Sequence, residues 1–217
     1  MAVKPNTCPG TAGRVLKAGA VRSIEYEKLA QVEHDMWWFR GLHENLIIAF
    51  SQRRQKPPRG IVLDVGCGTG GFLHKIGRSL PEYTVLGLEL DKTACKIATG
   101  RGQLVCLGSA TCLPFSDGCL AAIFSADMLN HAGVDEQQAI QNFYRCLHSE
   151  GILVLNLPAY PWLLSGHDHA VHNASLYLQT YSSVAKAGRV CRYQNHSLEY
   201  GPVSIDGYAS ALSQISG

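Results

Sequence analysis

From Ile61 to Leu157 the chain alternates short, near-continuously apolar runs with longer stretches whose apolar residues recur every three or four positions. The short runs have the character of strands buried on both faces, the longer ones of amphipathic helices. Five strands are predicted, at Ile61–Val65, Thr84–Glu89, Gln103–Leu107, Leu120–Ser125 and Ile152–Leu157, the last stopped by Pro158. Three helices fall between them: one carries Phe72, Leu73, Ile76 and Leu80, one runs from a cap at Asp91 to about Ala98, and one has Ala139, Ile140, Phe143 and Leu147 in a stripe. The alternation predicts an α/β fold, a Rossmann-like doubly wound sheet that is mostly parallel with helices on both faces.

Two further helices upstream form an N-terminal helical cap. Ser23–Glu33 is helix-compatible with Ser23 as N-cap, and a second helix has Leu42, Leu46, Ile47 and Phe50 on one face, with Met36-Trp37-Trp38-Phe39-Arg40 between the two. The proline-broken run SQRRQKPPRG then connects to the first strand. Residues 1–22, rich in Gly, Pro and Ala without periodicity, read as a flexible tail. After Pro158 the chain is Ser- and Tyr-rich with weak periodicity; Ala187-Gly188 before Val190 and Cys191 is compatible with a sixth strand, and a divergent, truncated or frame-altered tail fits equally well. The organisation expected is therefore tail (1–22), cap plus core (23–158) and a divergent segment of the same domain (159–217).

Composition narrows the function classes. The 217 residues are 46% hydrophobic and 17% charged with a formal net charge of +2, which is ordinary for a globular chain and gives no basic stripe for nucleic acid. The eight cysteines include no C-x-x-C pair and mostly sit in apolar runs, so they are expected to be reduced thiols of a cytoplasmic protein. No stretch reaches the ~18 uncharged apolar residues of a membrane span, and no metal site is expected.

The chemistry concentrates at IVLDVGCGTGGF, residues 61–72, where a strand ends in Asp64 and breaks into a glycine turn. Gly66, Gly68 and Gly71 satisfy G-x-G-x-x-G, and Gly70 lies in the same turn, so a dinucleotide-binding fingerprint is one reading. Asp64 argues against it, because a pyrophosphate over this turn would meet a carboxylate. S-adenosylmethionine brings an ammonium and a sulfonium instead, and Asp64 could bind the ammonium directly or through water. The other strand ends extend the site: Glu89 about 20 residues on can take a ribose diol, Ser109 and Ala110 can read an adenine edge, and Ser125, Asp127 and Met128 can flank the nucleoside.

The stretches VLDVGCGTGGF, GLELD, GSATCLPFSDGCLAAIFSADMLNH and LHSEGILVLNLPAY resemble the successive motifs of class I S-adenosylmethionine-dependent methyltransferases, in the methyltransferase type 11-like branch with an L-P-F segment before strand four. EHDMWWFRG and LPAYPWLLSGHD resemble a narrower subgroup of it. The resemblance covers about Tyr26 to Asp168 and implies that Asp64, Gly66, Cys67 and Gly68 line the methionine part of the cofactor, Glu89 and Leu90 its ribose and adenine, and Ser109 and Ala110 the adenine edge. From the cap, Trp38 and Arg40 are further candidates: Trp37, Trp38 and Phe39 read as core or cap packing before substrate stacking, and Arg40 as a clamp for the cofactor carboxylate or as a surface arginine. Two departures are Glu89 and Ser109, where the family usually has Asp. The family completes its sheet with an antiparallel strand pair, which the divergent C-terminal segment here leaves in question; an uncovered fifth strand would favour dimer pairing, so monomer or homodimer is expected.

The reaction implied is an in-line displacement of the sulfonium methyl by an O, N or C nucleophile of a small-molecule acceptor, leaving S-adenosylhomocysteine. His131 and Asp168 are the first candidates for a base, with His167, His169 and His172 behind them. Two alternatives remain: a protein that binds the adenosyl cofactor but is catalytically impaired, and an NAD(P)-dependent oxidoreductase, which Asp64 and the lack of a second catalytic domain disfavour.

Overall fold

The structure, a computed structural model, describes residues 23–52, 57–129, 131, 133–156 and 190–193. The expected tail at 1–22, Pro158 and the base candidates His167, Asp168, His169 and His172 lie outside the described residues.

The elements in chain order are α1 (Ser23–Val32), α2 (Trp37–Ser51), β1 (Ile61–Val65), α3 (Gly71–Ser79), β2 (Thr84–Glu89), α4 (Lys92–Gly100), β3 (Val105–Leu107), β4 (Leu120–Ala126), α5 (Glu136–Cys146), β5 (Leu147–Asn156) and β6 (Val190–Tyr193). The six strands form one sheet in the order β3-β2-β1-β4-β5-β6, and every neighbouring pair is parallel. Alternation along β1 divides the apolar side chains between the faces. Val62 packs with Leu46 and Phe50 of α2, Phe72 and Ile76 of α3, and Phe124. Leu63 and Val65 pack on the other face with Ile140 and Phe143 of α5, Leu113 and Phe115. This is the doubly wound sheet that the alternation predicts, and it places the C-terminal ends of β1, β2, β4 and β5 along one edge.

Local chemistry accounts for the boundaries. Asp91 caps α4 as expected, its Oδ1 accepting from Thr93 N at 2.7 Å and Ala94 N at 3.0 Å. Strand β3 begins two residues later than predicted because Gln103 closes the end of α4: its N–H reaches Ala98 O at 3.1 Å, Gly102 N reaches Thr99 O at 2.9 Å, and Gly102 takes φ +77. Leu147 was expected in the helical stripe; it instead opens β5, pairing with Leu120, and a register shift between Leu120 and Ala122 takes up the irregular stretch before Ile152. Ser23, expected as the N-cap, is the first residue of α1.

Two other expectations change. Met36–Arg40 is not a connector, because Trp37 starts α2 and only Met36 stays extended. The sixth strand that the sequence allowed at Val190 is present, Val190–Tyr193 lying parallel to β5 along its edge. Cys67, Cys95, Cys106, Cys119 and Cys146 are free thiols, but Cys112 is disulfide-bonded, so the expectation of reduced cysteines does not extend to it. Among the described residues no helix is long and apolar enough to cross a membrane.

Phe124 joins the layers on the α2 and α3 face. It is fully buried, with ring centroids 5.6 Å from Phe50 and 5.5 Å from Phe72. Phe124→Ala is expected to cost about 3–5 kcal/mol, transfer plus cavity. Urea unfolding checks it, with the urea midpoint falling at an unchanged slope.

Candidate functional site

The turn after β1 is held from below and from the side. Gly66 N and Cys67 N both donate to Leu88 O of β2, at 2.8 and 3.2 Å. The Glu89 carboxylate does more: Oε2 accepts from Gly68 N at 2.8 Å, and Oε1 accepts from Leu90 N at 2.8 Å and Asp91 N at 2.9 Å. Three of the roughly four acceptor positions of a carboxylate are thereby used, and one on Oε2 remains. Gly66 is required twice over: its φ is +79, and a Cβ would come within 2.6 Å of the Met128 side chain.

Asp64 lies beneath this turn, only 2% exposed, with Oδ2 lacking any hydrogen-bond partner. Burial, and secondly the charge of Glu89, push its pKa up to about 8. The same burial, with Asp64 and Glu89 nearby, raises the Cys67 thiol far above its ordinary value, so Cys67 stays protonated. Among the described residues the buried side-chain oxygens without partners are Asp64 Oδ2, Thr69 Oγ1, Ser125 Oγ and Asn156 Oδ1. All four sit in the glycine turn or at the C-terminal ends of β1, β4 and β5. Buried polar atoms are nearly always paired, so four orphans at one sheet edge describe a place built for a polar ligand or its waters.

The end of β4 is fixed by β5. Asp127 N donates to Asn156 O at 3.1 Å, Asn156 Nδ2 donates to Asp127 Oδ1 at 2.6 Å, and Asp127 takes φ 53, a left-handed conformation that is strained for a non-glycine residue. Met128 is turned back against Gly66. On the β2 side, Gly108 N bonds Glu89 O at 2.9 Å, which brings the segment after β3 beside Glu89. The Ser109 hydroxyl is engaged with Thr111 Oγ1 at 2.8 Å, and Ala110 faces the core. Leu90 is 71% exposed beside Glu89. His131 is exposed at the rim; partial burial of its ring lowers its pKa, against the pull of Glu89 and of the Asp127 carbonyl.

From the cap, Trp37 is 78% and Trp38 40% exposed, edge-to-face with centroids 6.0 Å apart, so neither is a core residue. Arg40 lines a groove shared with Gly71, at the start of α3. Sequence reasoning missed Thr69 and Asn156, whose residue types carry no motif, and Tyr26 of α1. Burial, then Glu89 and Asp91, raise the Tyr26 hydroxyl pKa, which puts that ring beside the end of β2.

Residues 63–155 match the family model of the methyltransferase domain. The mouse probable tRNA methyltransferase 9B is 28% identical over 195 residues, covering 74% of this chain and 42% of that protein. The trans-aconitate 2-methyltransferase of Deinococcus radiodurans is 30% identical over 121 residues, covering 53% of this chain and 42% of that protein. The chain thus spans well under half the length of either relative. Among solved structures, geranyl diphosphate C-methyltransferase of Streptomyces coelicolor superposes with a TM-score of 0.58 at 19% identity, covering 78% of this chain and 65% of that one. A possible histamine N-methyltransferase of Thermotoga maritima gives 0.55 at 21%, covering 76% of each. These likenesses show the fold.

The cap is bolted to the glycine turn by one arginine. Arg101, past the end of α4, pairs with Glu33 and donates to Ala30 O on the cap side, and donates to Thr69 O in the turn at 2.9 Å. Glu33 is 7% exposed, and a Cβ on Gly71 would lie 2.5 Å from its carboxylate, so the fit admits only glycine there. Arg101→Met strands Glu33 without its cation, and a loss of about 2–4 kcal/mol is expected, set below the fully buried case because Arg101 is partly exposed. Adding Glu33→Gln to that variant should restore part of the loss, which urea titrations of the single and double variants will measure.

Proposed function

We propose that this protein is an S-adenosylmethionine-dependent methyltransferase, with Asp64 and Glu89 as the two anchors of its cofactor. The observation that carries the reading is the buried Asp64 Oδ2, without a partner at the end of β1. A carboxylate there is costly until a cation or strong donor meets it, and a dinucleotide pyrophosphate over the glycine turn would bring the wrong charge to Asp64. Bound S-adenosylmethionine would supply a methyl group already activated on a sulfonium sulfur. In this reading Asp64 takes the ammonium, directly or through water, and the remaining Glu89 Oε2 acceptor takes a ribose hydroxyl. Gly66, Cys67, Gly68 and Gly70 form the floor, and Leu90 and Met128 flank the nucleoside. Ser109 and Ala110 present backbone to the adenine edge, Ser125 and Asp127 close the β4 side, and Trp38 closes the cap side. What the chain must add is positioning and, for a hydroxyl or carbon acid, a proton acceptor. His131, kept neutral by its lowered pKa, is our candidate for that acceptor.

For the methyl acceptor we propose a small molecule, supported by the low net charge of +2. An RNA acceptor is the second reading, favoured by relatives named as tRNA methyltransferases. Incubation with methyl-labelled S-adenosylmethionine and a cell extract separates them: label is expected in the low-molecular-weight fraction, and label in RNA would replace the first reading by the second. Binding of the cofactor with no label in either fraction would point to a catalytically impaired protein.

The Asp64 titration gives a sharper test of the cofactor. Its folded pKa is raised to about 8, whereas an unfolded carboxylate loses its proton near pH 4. The folded state therefore binds more protons between these values, and this group's contribution to stability falls as pH rises from about 4 to about 8. An ammonium arriving at Asp64 must expel that proton. Calorimetry with S-adenosylhomocysteine at pH 7 is expected to show about one proton released, as a dependence of the heat on buffer ionisation, and affinity rising toward pH 8. Asp64→Asn should lose the proton release and bind about tenfold weaker or worse. Binding of NAD in preference to the adenosyl ligands would sink the assignment.

A further inference from the structure

A concavity of about 310 Å³ lies between the cap and α3, running from Gly71 at the start of that helix to Arg78 and Ser79 at its end. His34, Arg40 and His43 line it from the cap side, and His74, Lys75 and Arg78 from α3. His43 is a wall rather than a charge: its ring stacks on Phe72 at 4.6 Å, and burial, then Lys75 and His34, bring its pKa down to about 4. His34 and His74 meet edge-to-face across the groove with centroids 6.2 Å apart.

The charges around it do not cancel. Glu33 in the lining is committed to Arg101, and Lys75 is committed to Glu44 outside it. Arg40 and Arg78 have no carboxylate partner among the described residues. A chain with a net charge of only +2 thus sets around one small cavity two guanidinium groups that no carboxylate among the described residues neutralises, and two imidazoles. Pairing of His43 with Phe72 and of Glu44 with Lys75 puts Arg40, one turn earlier in α2, level with the start of α3. Arg78 is seven residues further along α3, about 10 Å of helix rise. Two planar donor forks at that separation, reaching inward on flexible stems, suit the oxygens of a phosphate or diphosphate better than a single carboxylate. The volume is at the small end of ligand pockets, enough for such a group and not for a large one.

We propose that this groove is a binding site for the phosphate or diphosphate group of a small ligand, held between Arg40 of the cap and Arg78 of α3. An anion there ties cap to core beside the Arg101–Glu33 contact. The site is separate from the methyl-transfer reading and stands or falls without it.

The test uses the whole chain, with inorganic pyrophosphate as the probe and binding of S-adenosylhomocysteine as an independent measure of the cofactor site. Pyrophosphate is expected to bind, to do so equally well when S-adenosylhomocysteine is saturating, and to weaken with rising salt. Arg78→Gln should bind pyrophosphate about tenfold weaker while its S-adenosylhomocysteine affinity and melting temperature stay unchanged. Arg78→Lys should recover part of the affinity, since the charge remains and the fork is lost. No binding at millimolar pyrophosphate, an undiminished affinity in Arg78→Gln, or competition with S-adenosylhomocysteine would each overturn the proposal. A short oligoribonucleotide that binds more tightly than pyrophosphate and is lost in Arg78→Gln would overturn the small-ligand assignment in favour of a nucleic-acid backbone.

Discussion

Three backbone N–H groups converge on the carboxylate of Glu89, and the shape of the glycine turn depends on them. Gly68 belongs to the turn, Leu90 and Asp91 to the entrance of α4, so one side chain ties two loops at the end of β2. The arrangement keeps a charge in place without a counter-ion, because oriented amides carry the partial positive charge that a carboxylate needs. Asp64, one strand over, has no such set of donors, and its Oδ2 stays unpaired. The two acids differ in how far the protein satisfies them: Glu89 accepts three backbone N–H bonds, while Asp64 Oδ2 accepts none.

The strand order β3-β2-β1-β4-β5-β6, all parallel, is also the order of the doubly wound dinucleotide-binding fold. Backbone topology and the spacing of Gly66, Gly68 and Gly71 therefore do not separate the two cofactor classes. The separation comes from buried side chains at the strand ends, where charge sign decides. A buried carboxyl with few internal donors keeps its proton, as the pKa of about 8 at Asp64 reflects, until a cation or strong donor meets it.

Much of this was legible in the sequence, for identifiable reasons. Strands β1 and β2 are apolar runs bounded by turn residues, and their ends fall where the pattern puts them, with Asp91 capping the next helix. Boundaries moved where a non-periodic device intervened: the Gly102 turn shortened β3, and the bulge before Ile152 drew Leu147 from helix into strand. Of the site, residues within motifs were visible, whereas Thr69, Asn156, Tyr26 and the Glu33–Arg101 pair were not. Glu33 and Arg101 are 68 residues apart in sequence, and no local pattern announces that a surface-looking glutamate and a helix-end arginine will meet. The exposure of Trp37 and Trp38 was equally hidden, since two adjacent tryptophans read as core until the helix places both at the rim.

The contact between Glu33 and Gly71 has a consequence for how such a domain changes over time. The cap is not an independent lid that can be exchanged for one with another shape, because the same carboxylate that holds it fills the space beside α3 and neutralises the arginine gripping the turn. A replacement cap would have to bring an acid of the same reach to the same point, or leave Arg101 and the turn it steadies without a counterpart. A change at Glu33, Gly71 or Arg101 therefore reaches the cap and the glycine turn at once.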